Sequence, residues 1–279
     1  MHIREPVVAG QFYPGNREVL KTKIQSFLKA VPNKEGGEIY GIIVPHAGYD
    51  YSGQTSAHAF KQIERKQYNT VIILGPSHSY PFNNTAIYPD GYFRTPLGDV
   101  GINNEFSLKL VAKSKHIIQD EKPHLNEHSI EVIIPFLQEV ITSGTVMSNF
   151  KIVPICIGDQ SFEVCEELAN AIVKTLHEFP DEKALIVASS DFYHGYDYEE
   201  CKRSVAKSVS LITQYKTEEF HRTFWEENLA CGGGCIVACM NVCKEMGAKK
   251  STNVYSTNSG DVTGIKDDYV VGYASFVLI

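Results

Sequence analysis

The sequence predicts an α/β protein, one domain over residues 1–279, with a largely parallel central sheet and helices on both faces. Two observations carry that expectation. Short apolar runs rich in Ile and Val alternate along the chain with segments of helical periodicity. Several of these runs end abruptly in Gly, Pro, Ser and His, as strands do when they feed into turns.

Taken in order, 17–31 (REVLKTKIQSFLKAV) has apolar residues at helical spacing. Residues 39–44 (IYGIIV) form a buried strand stopped by PHAG, and 52–63 (SGQTSAHAFKQI) a helix. Residues 70–74 (TVIIL) are the next strand, stopped by GPSH. Helices are expected over 103–114 and 129–141, and a strand over 150–157 (FKIVPICI). An amphipathic helix follows over 162–179, then the strand 184–188 (ALIVA), ended by SSDFYH. Helices over 199–214 and 217–228 precede a cysteine-rich helix, and strand-like runs at 254–257 and 270–279 close the chain.

Composition excludes several classes. Asp and Glu outnumber Lys and Arg by 33 to 26, giving a formal charge of −7, and there is no basic patch signature, so nucleic acid is not an expected partner. Apolar residues make up 43% of the chain without any run long enough to span a bilayer. MHIREPVVAG lacks a signal-peptide layout, and seven cysteines in a chain too long to need stapling read as reduced thiols in the cytoplasm. No GxGxxG, P-loop or GxSxG motif occurs. Nothing in the sequence marks an oligomer interface.

Three strand ends carry histidine: VPHAGY (His46), LGPSHS (His78) and SSDFYH (His194). Parallel strands place such turns at one carboxyl edge, where open α/β sheets hold their ligands. Imidazole is the commonest ligand for zinc, copper and iron, and two histidines with one anionic residue leave coordination positions open on iron(II). His46 and His78 are the nitrogen candidates. Asp191, a nearby glutamate and Cys231 compete for the third place. His194, three residues after Asp191, suits a general acid/base, and Asp191 could instead orient a histidine.

The stretch CGGGCIVACMNVC at 231–243 holds four cysteines at a spacing of four. On a helix twelve residues rise roughly 18 Å, too far for one ion whose bonds to sulfur are about 2.3 Å. Three consecutive glycines disfavour a continuous helix, so Cys231 is expected in a loop and the helix from near Cys235. The glycines would let the backbone approach closely, and the helix start would stabilise a thiolate. Cys239 and Cys243 read as small buried hydrophobes.

The strings REPVVAGQFYPG (4–15), VPHAGYDYSG (44–53), LGPSHS (74–79), FRTPLGDV (93–100), NEHSIEVIIPFL (126–137), SSDFYH (189–194) and the closing VVGYASFVLI resemble the Memo (mediator of cell motility) family over essentially the whole chain. That resemblance implies an extradiol-dioxygenase-like fold, related to ring-cleaving enzymes whose iron sits on two histidines and a glutamate. It implies metal ligands at His46, His78 and Cys231, with Asp191 and His194 in the same pocket as candidate catalytic residues. A register slip would exchange Cys231 for Cys235. The implied cofactor is iron(II), with copper or zinc as alternatives, and the implied partner is a small molecule or peptide in the pocket. A cysteine in the glutamate's place donates more charge and is itself oxidisable, which counts against ring cleavage. Three functions are therefore open: a redox enzyme, a zinc-dependent hydrolase, and a non-catalytic binding module.

Elsewhere, Asn126 or Ser129 could cap a helix, and His128, Glu127 and Glu131 could line the pocket rim. His58 and Trp225 read as packing residues, and Phe12 and Tyr13 either wall the pocket or pin the N-terminal segment to the core.

Overall fold

The structure is a computed structural model that describes residues 2–32, 36–64, 66–142, 150–227 and 229–279. Four parallel strands form the middle of the main sheet, in the order Gly41–Val44, Ala184–Ser189, Thr70–Pro76 and Lys151–Ile157. Their side chains alternate between two cores. Ile43, Ile72, Leu74, Ile186 and Ala188 join one cluster, while Ile42, Val44, Val71, Ile73, Leu185 and Val187 join the other. Both faces are buried, which is why these strands read as continuous apolar runs.

The helices divide accordingly. Arg17–Ala30, Tyr49–Ile63 and Ile134–Thr142 cover one face. Asn104–Val111, Phe162–Glu178, Tyr198–Thr213, Thr217–Glu227 and Gly233–Met246 cover the other.

The centre of the sheet is parallel, as expected, and its margins are mixed. Val270–Leu278 runs antiparallel to 41–44 and to its neighbour Ser251–Asn258. On the other side Thr85–Ile87 pairs antiparallel with 151–157 and parallel with Ile117–Gln119. The strands 85–87, Tyr92–Thr95, Gly98–Gly101 and 117–119 are too short, at three or four residues, to show a period in the sequence. Two of them, 92–95 and 98–101, join Ile3–Arg4 in a small separate sheet.

Three helices start elsewhere than expected, the one expected from residue 52 already beginning at Tyr49. Residues 129–141 were expected as one helix, but Ser129 is held outside it, and a 3₁₀ turn over Glu131–Ile133 leads into Ile134–Thr142. Ser129 lies outside because its hydroxyl donates to the Pro76 carbonyl and its N–H donates to Glu127 Oε1. Pro135 then occupies the first turn of the helix, where a missing N–H costs nothing. The cysteine helix begins at Gly233, two residues before Cys235, with Gly232 as its cap.

Trp225, expected to pack, is 57% exposed and rests on Phe224. Among the described residues no helix is long and apolar enough to cross a membrane.

Candidate metal centre

The turns that follow three of the parallel strands bring His46, His78 and Asp191 to the carboxyl edge of the sheet, and the turn before the helix Gly233–Met246 brings Cys231 beside them. The Asp191 carboxylate accepts the backbone N–H of His46 at 2.9 Å and that of Ala47 at 3.3 Å. The Asp191 carbonyl accepts the N–H of Cys231 at 3.2 Å. One residue therefore ties the first histidine turn to the cysteine turn.

The proton positions follow from the hydrogen bonds. Ser189 Oγ donates its single proton to the Ser129 carbonyl at 2.6 Å. It must therefore accept from His46 Nδ1, 2.8 Å away, which leaves the lone pair of His46 on Nε2. The Cys231 sulfur lies 3.3 Å from that Nε2. His78 is fixed in the same way: its Nδ1 donates to Glu127 Oε1 at 2.9 Å and its backbone N–H to Glu127 Oε2. A metal-binding histidine is commonly oriented by a carboxylate or hydroxyl on its second nitrogen, and both histidines here have that support.

His128 completes the cluster. The ligand atoms of His46, His78 and His128 all lie within 4.8 Å of one another. The rings of His78 and His128 stack at 4.9 Å, and His46 meets both edge-on at 5.1 and 5.5 Å. His128 does not follow a parallel strand. It enters from the segment 126–130, whose Glu127 accepts the N–H groups of both His128 and Ser129 at 2.9 Å. The NEHSIE string was the available signal, and it named this segment without showing which pocket it enters.

Within that string Glu131 has a task separate from that of Glu127. Glu131, fully buried, accepts the N–H groups of Val7 and Val8 at 2.9 and 3.0 Å and the Tyr13 hydroxyl at 2.6 Å. It also pairs with the buried Arg4 guanidinium, which donates to the carbonyls of His124 and Glu127. The N-terminal segment is thus tied to the loop that carries Glu127 and His128. Phe12, on that segment, sets its ring against His128 at 4.9 Å.

Burial sets the charge state. It pushes the pKa of His46 well below the ordinary histidine value, and the neighbouring His78 and His128 lower it further. Burial also lowers His128 and His194. His78 is pulled down by burial too, but its hydrogen bond and charge pairing with Glu127 outweigh this and raise it overall. For Glu127, burial raises the carboxyl, yet His78 and the surrounding amides hold it well below the usual carboxylate range. Asp191 is pushed up to about 6 by burial, against the pull of the His46 and Ala47 amides. Burial, and then the Asp191 charge, raise the Cys231 thiol. With Nε2 of His46 bare, the Cys231 S–H is the donor of their contact.

Cys231 is half-buried, whereas the other six cysteines are fully buried and all seven are free. Cys235 packs into the core behind the site, as Cys239 and Cys243 do. The three glycines are explained by contact rather than by φ. A Cβ on Gly232 would stand 2.6 Å from the Ser189 carbonyl oxygen and 2.9 Å from Ser190 Cβ. On Gly233 it would meet the Phe224 ring, and on Gly234 the Cys165 sulfur and Gln160. His194 is half-buried on the short strand His194–Gly195, beside the exposed Tyr269 at 6.4 Å between rings. A proton on His194 would disfavour one on His46, as a proton on His78 disfavours one on His194.

The Memo-like protein family profile matches residues 4–277. This chain belongs to the Memo family. It is 40% identical to a MEMO1 family protein of Thermoplasma acidophilum, covering 99% of this chain and 98% of that one. It is also 38% identical to MEMO1 family proteins of Nitrosopumilus maritimus and Thermoplasma volcanium, over 99% of this chain and 100% and 98% of theirs. A solved structure of an uncharacterized Escherichia coli K12 protein aligns at TM-score 0.49 and 11% identity, over 87% of this chain and all of that one, a likeness too slight to add to the fold.

Proposed function

We propose that this Memo protein binds a transition metal, iron(II) foremost with copper or zinc as alternatives, through His46, His78 and Cys231. On this reading it acts as a redox enzyme on a small molecule or peptide. The observation that carries the proposal is the pair of oriented imidazoles: Ser189 and Glu127 occupy Nδ1 of His46 and His78, and the Cys231 sulfur stands beside the bare Nε2 of His46. The donor set of nitrogen and sulfur suits these metals. A bound iron(II) would supply open coordination positions for substrate and oxygen.

The chain's own residues do the rest. His46 and His78 offer lone pairs, and Cys231 gives up the proton it now shares with His46, since a thiol binds a metal as thiolate. Asp191 holds the His46 and Cys231 turns in register. His194, half-buried and with its pKa lowered by burial, is the residue that could take or return a proton. Seven free thiols and a net charge of −7 fit a cytoplasmic protein without a nucleic-acid partner.

One observation favours a second reading. Three histidine ligand atoms within 4.8 Å of one another also suit zinc, whose hydrolytic sites include three-histidine sets with one open position. There Cys231 would be a neighbour rather than a ligand.

Protein purified without oxygen is expected to carry stoichiometric metal that is lost in His46→Ala, His78→Ala and Cys231→Ser. Full metal retention in Cys231→Ser, with loss in His128→Ala, would overturn the cysteine assignment in favour of the three-histidine site. Redox-inactive metal together with turnover of ester or amide substrates would select hydrolysis.

A further inference from the structure

We propose that Gln160 is a positioning residue for Cys231, setting through its side-chain amide where the sulfur stands and how tightly the site holds a metal. The inference rests on the reading of Cys231 as a ligand. The sulfur itself is weakly held: besides His46 it touches the Asp191 carbonyl at 3.5 Å and Ser190 Oγ at 3.9 Å. Its place is therefore decided by the backbone of its turn.

Besides the helix's own bond from the Ile236 N–H to the Gly232 carbonyl, four contacts hold that backbone. The Cys231 N–H is bound by the Asp191 carbonyl, and the Gly232 N–H donates to Ser190 Oγ at 2.9 Å. The remaining two both belong to Gln160. Its Nε2 donates to the Cys231 carbonyl at 2.8 Å, and its Oε1 accepts the Gly234 N–H at 2.9 Å. One carboxamide thus bridges the ligand residue and the first turn of the helix Gly233–Met246, whose leading N–H groups have no partner within the helix. The two contacts need opposite polarity, a donor and an acceptor on one planar group. A carboxylate offers two acceptors and a thioether offers no donor.

Gln160 is itself fixed. It lies between the strand 151–157 and the helix 162–178, and its backbone carbonyl accepts from His221 Nε2 at 2.8 Å. The absence of a side chain at position 234 lets it approach: a Cβ there would come within 2.8 Å of Gln160 Cβ and 3.1 Å of its Cα. The glycine and the glutamine are two halves of one clamp, and neither belongs to the histidine cluster.

The test is an anaerobic cobalt(II) titration read at the thiolate-to-metal charge-transfer absorption, on wild type, Gln160→Met, Gln160→Glu and Cys231→Ser, each checked for fold by circular dichroism. Wild type is expected to show the band and Cys231→Ser to lose it. Gln160→Met and Gln160→Glu are expected to keep a shifted or weakened band, with affinity down about tenfold, the low end of what supporting contacts at metal sites carry. Gln160→Glu, with nearly the same shape, supplies the answer if Gln160→Met fails to fold. Wild-type affinity and an unchanged band in a folded Gln160 variant overturn the inference while leaving the ligand reading intact. A wild-type complex without the band, bound equally well by Cys231→Ser, overturns the ligand reading and this inference with it.

Discussion

Glu127 holds His78 twice, its Oε1 2.9 Å from the imidazole Nδ1 and its Oε2 bonded to the backbone N–H of the same residue. The carboxylate thereby fixes both the position of the turn and the direction in which Nε2 points. Glu127→Gln keeps the size but replaces one acceptor with a donor, and both groups it holds on His78 are themselves donors, so one of them loses its partner. Metal affinity is expected to fall about 10- to 100-fold with little change in fold, measured by competition against a chelator. Unchanged affinity would show that His78 is oriented by other contacts.

Glu131 and Arg4 are both almost wholly buried, at 0% and 1% side-chain exposure. Glu131→Ala leaves the guanidinium without its counter-charge and frees the Val7 and Val8 amides. Removing one partner of a buried pair costs about 3–5 kcal/mol. The expected result is a loss of that size in urea denaturation, together with faster proteolysis within residues 2–15. Loss of stability without new cleavage there would separate the ion pair from the anchoring of the segment.

Gly232→Ala would place a methyl group 2.6 Å from the Ser189 carbonyl oxygen. Either the cysteine turn or the strand end must shift, at about 1–3 kcal/mol for overpacking. Because the shift falls on the turn carrying Cys231, metal affinity should drop as well. A variant with wild-type stability and affinity would mean that the turn yields freely.

His124 supplies a pH dependence away from the histidine turns of the candidate site. It is fully buried, Nε2 donates to the Ala86 carbonyl at 3.1 Å, and Nδ1 has no partner. Burial lowers its pKa from 6.5 to about 4, so the folded protein resists a proton that the unfolded chain accepts. The sign is a stability contribution fully present above pH 6.5 and lost as pH falls toward 4, amounting to roughly 3 kcal/mol at most. Denaturation midpoints of wild type and His124→Phe between pH 7 and pH 4 should converge as acid removes the wild-type advantage. Parallel curves would exclude His124 as the source.

Much of the site was legible because it sits where strands end. His46, His78, Asp191 and His194 each follow an apolar run, and the parallel direction of those strands puts their turns at one edge. The cysteine stretch was legible in part: helix rise excluded a four-thiol ion, and the buried places of Cys235, Cys239 and Cys243 agree. His128 was not legible as a cluster member. Its segment joins no parallel strand, and its place beside His46 depends on the Arg4–Glu131 pair and on the Ser129 bond to the Pro76 carbonyl.

The sequence by itself determined the α/β alternation, the carboxyl-edge turns and the family, because local periodicity and ordered motifs are properties of neighbours along the chain. The tertiary structure alone decided the antiparallel margins of the sheet, the Glu127 grip on His78 from 49 residues away, and the meeting of Cys231 with His46 across 185 residues. Such contacts arise from how the two cores pack on one sheet, and a spacing pattern carries no record of that packing.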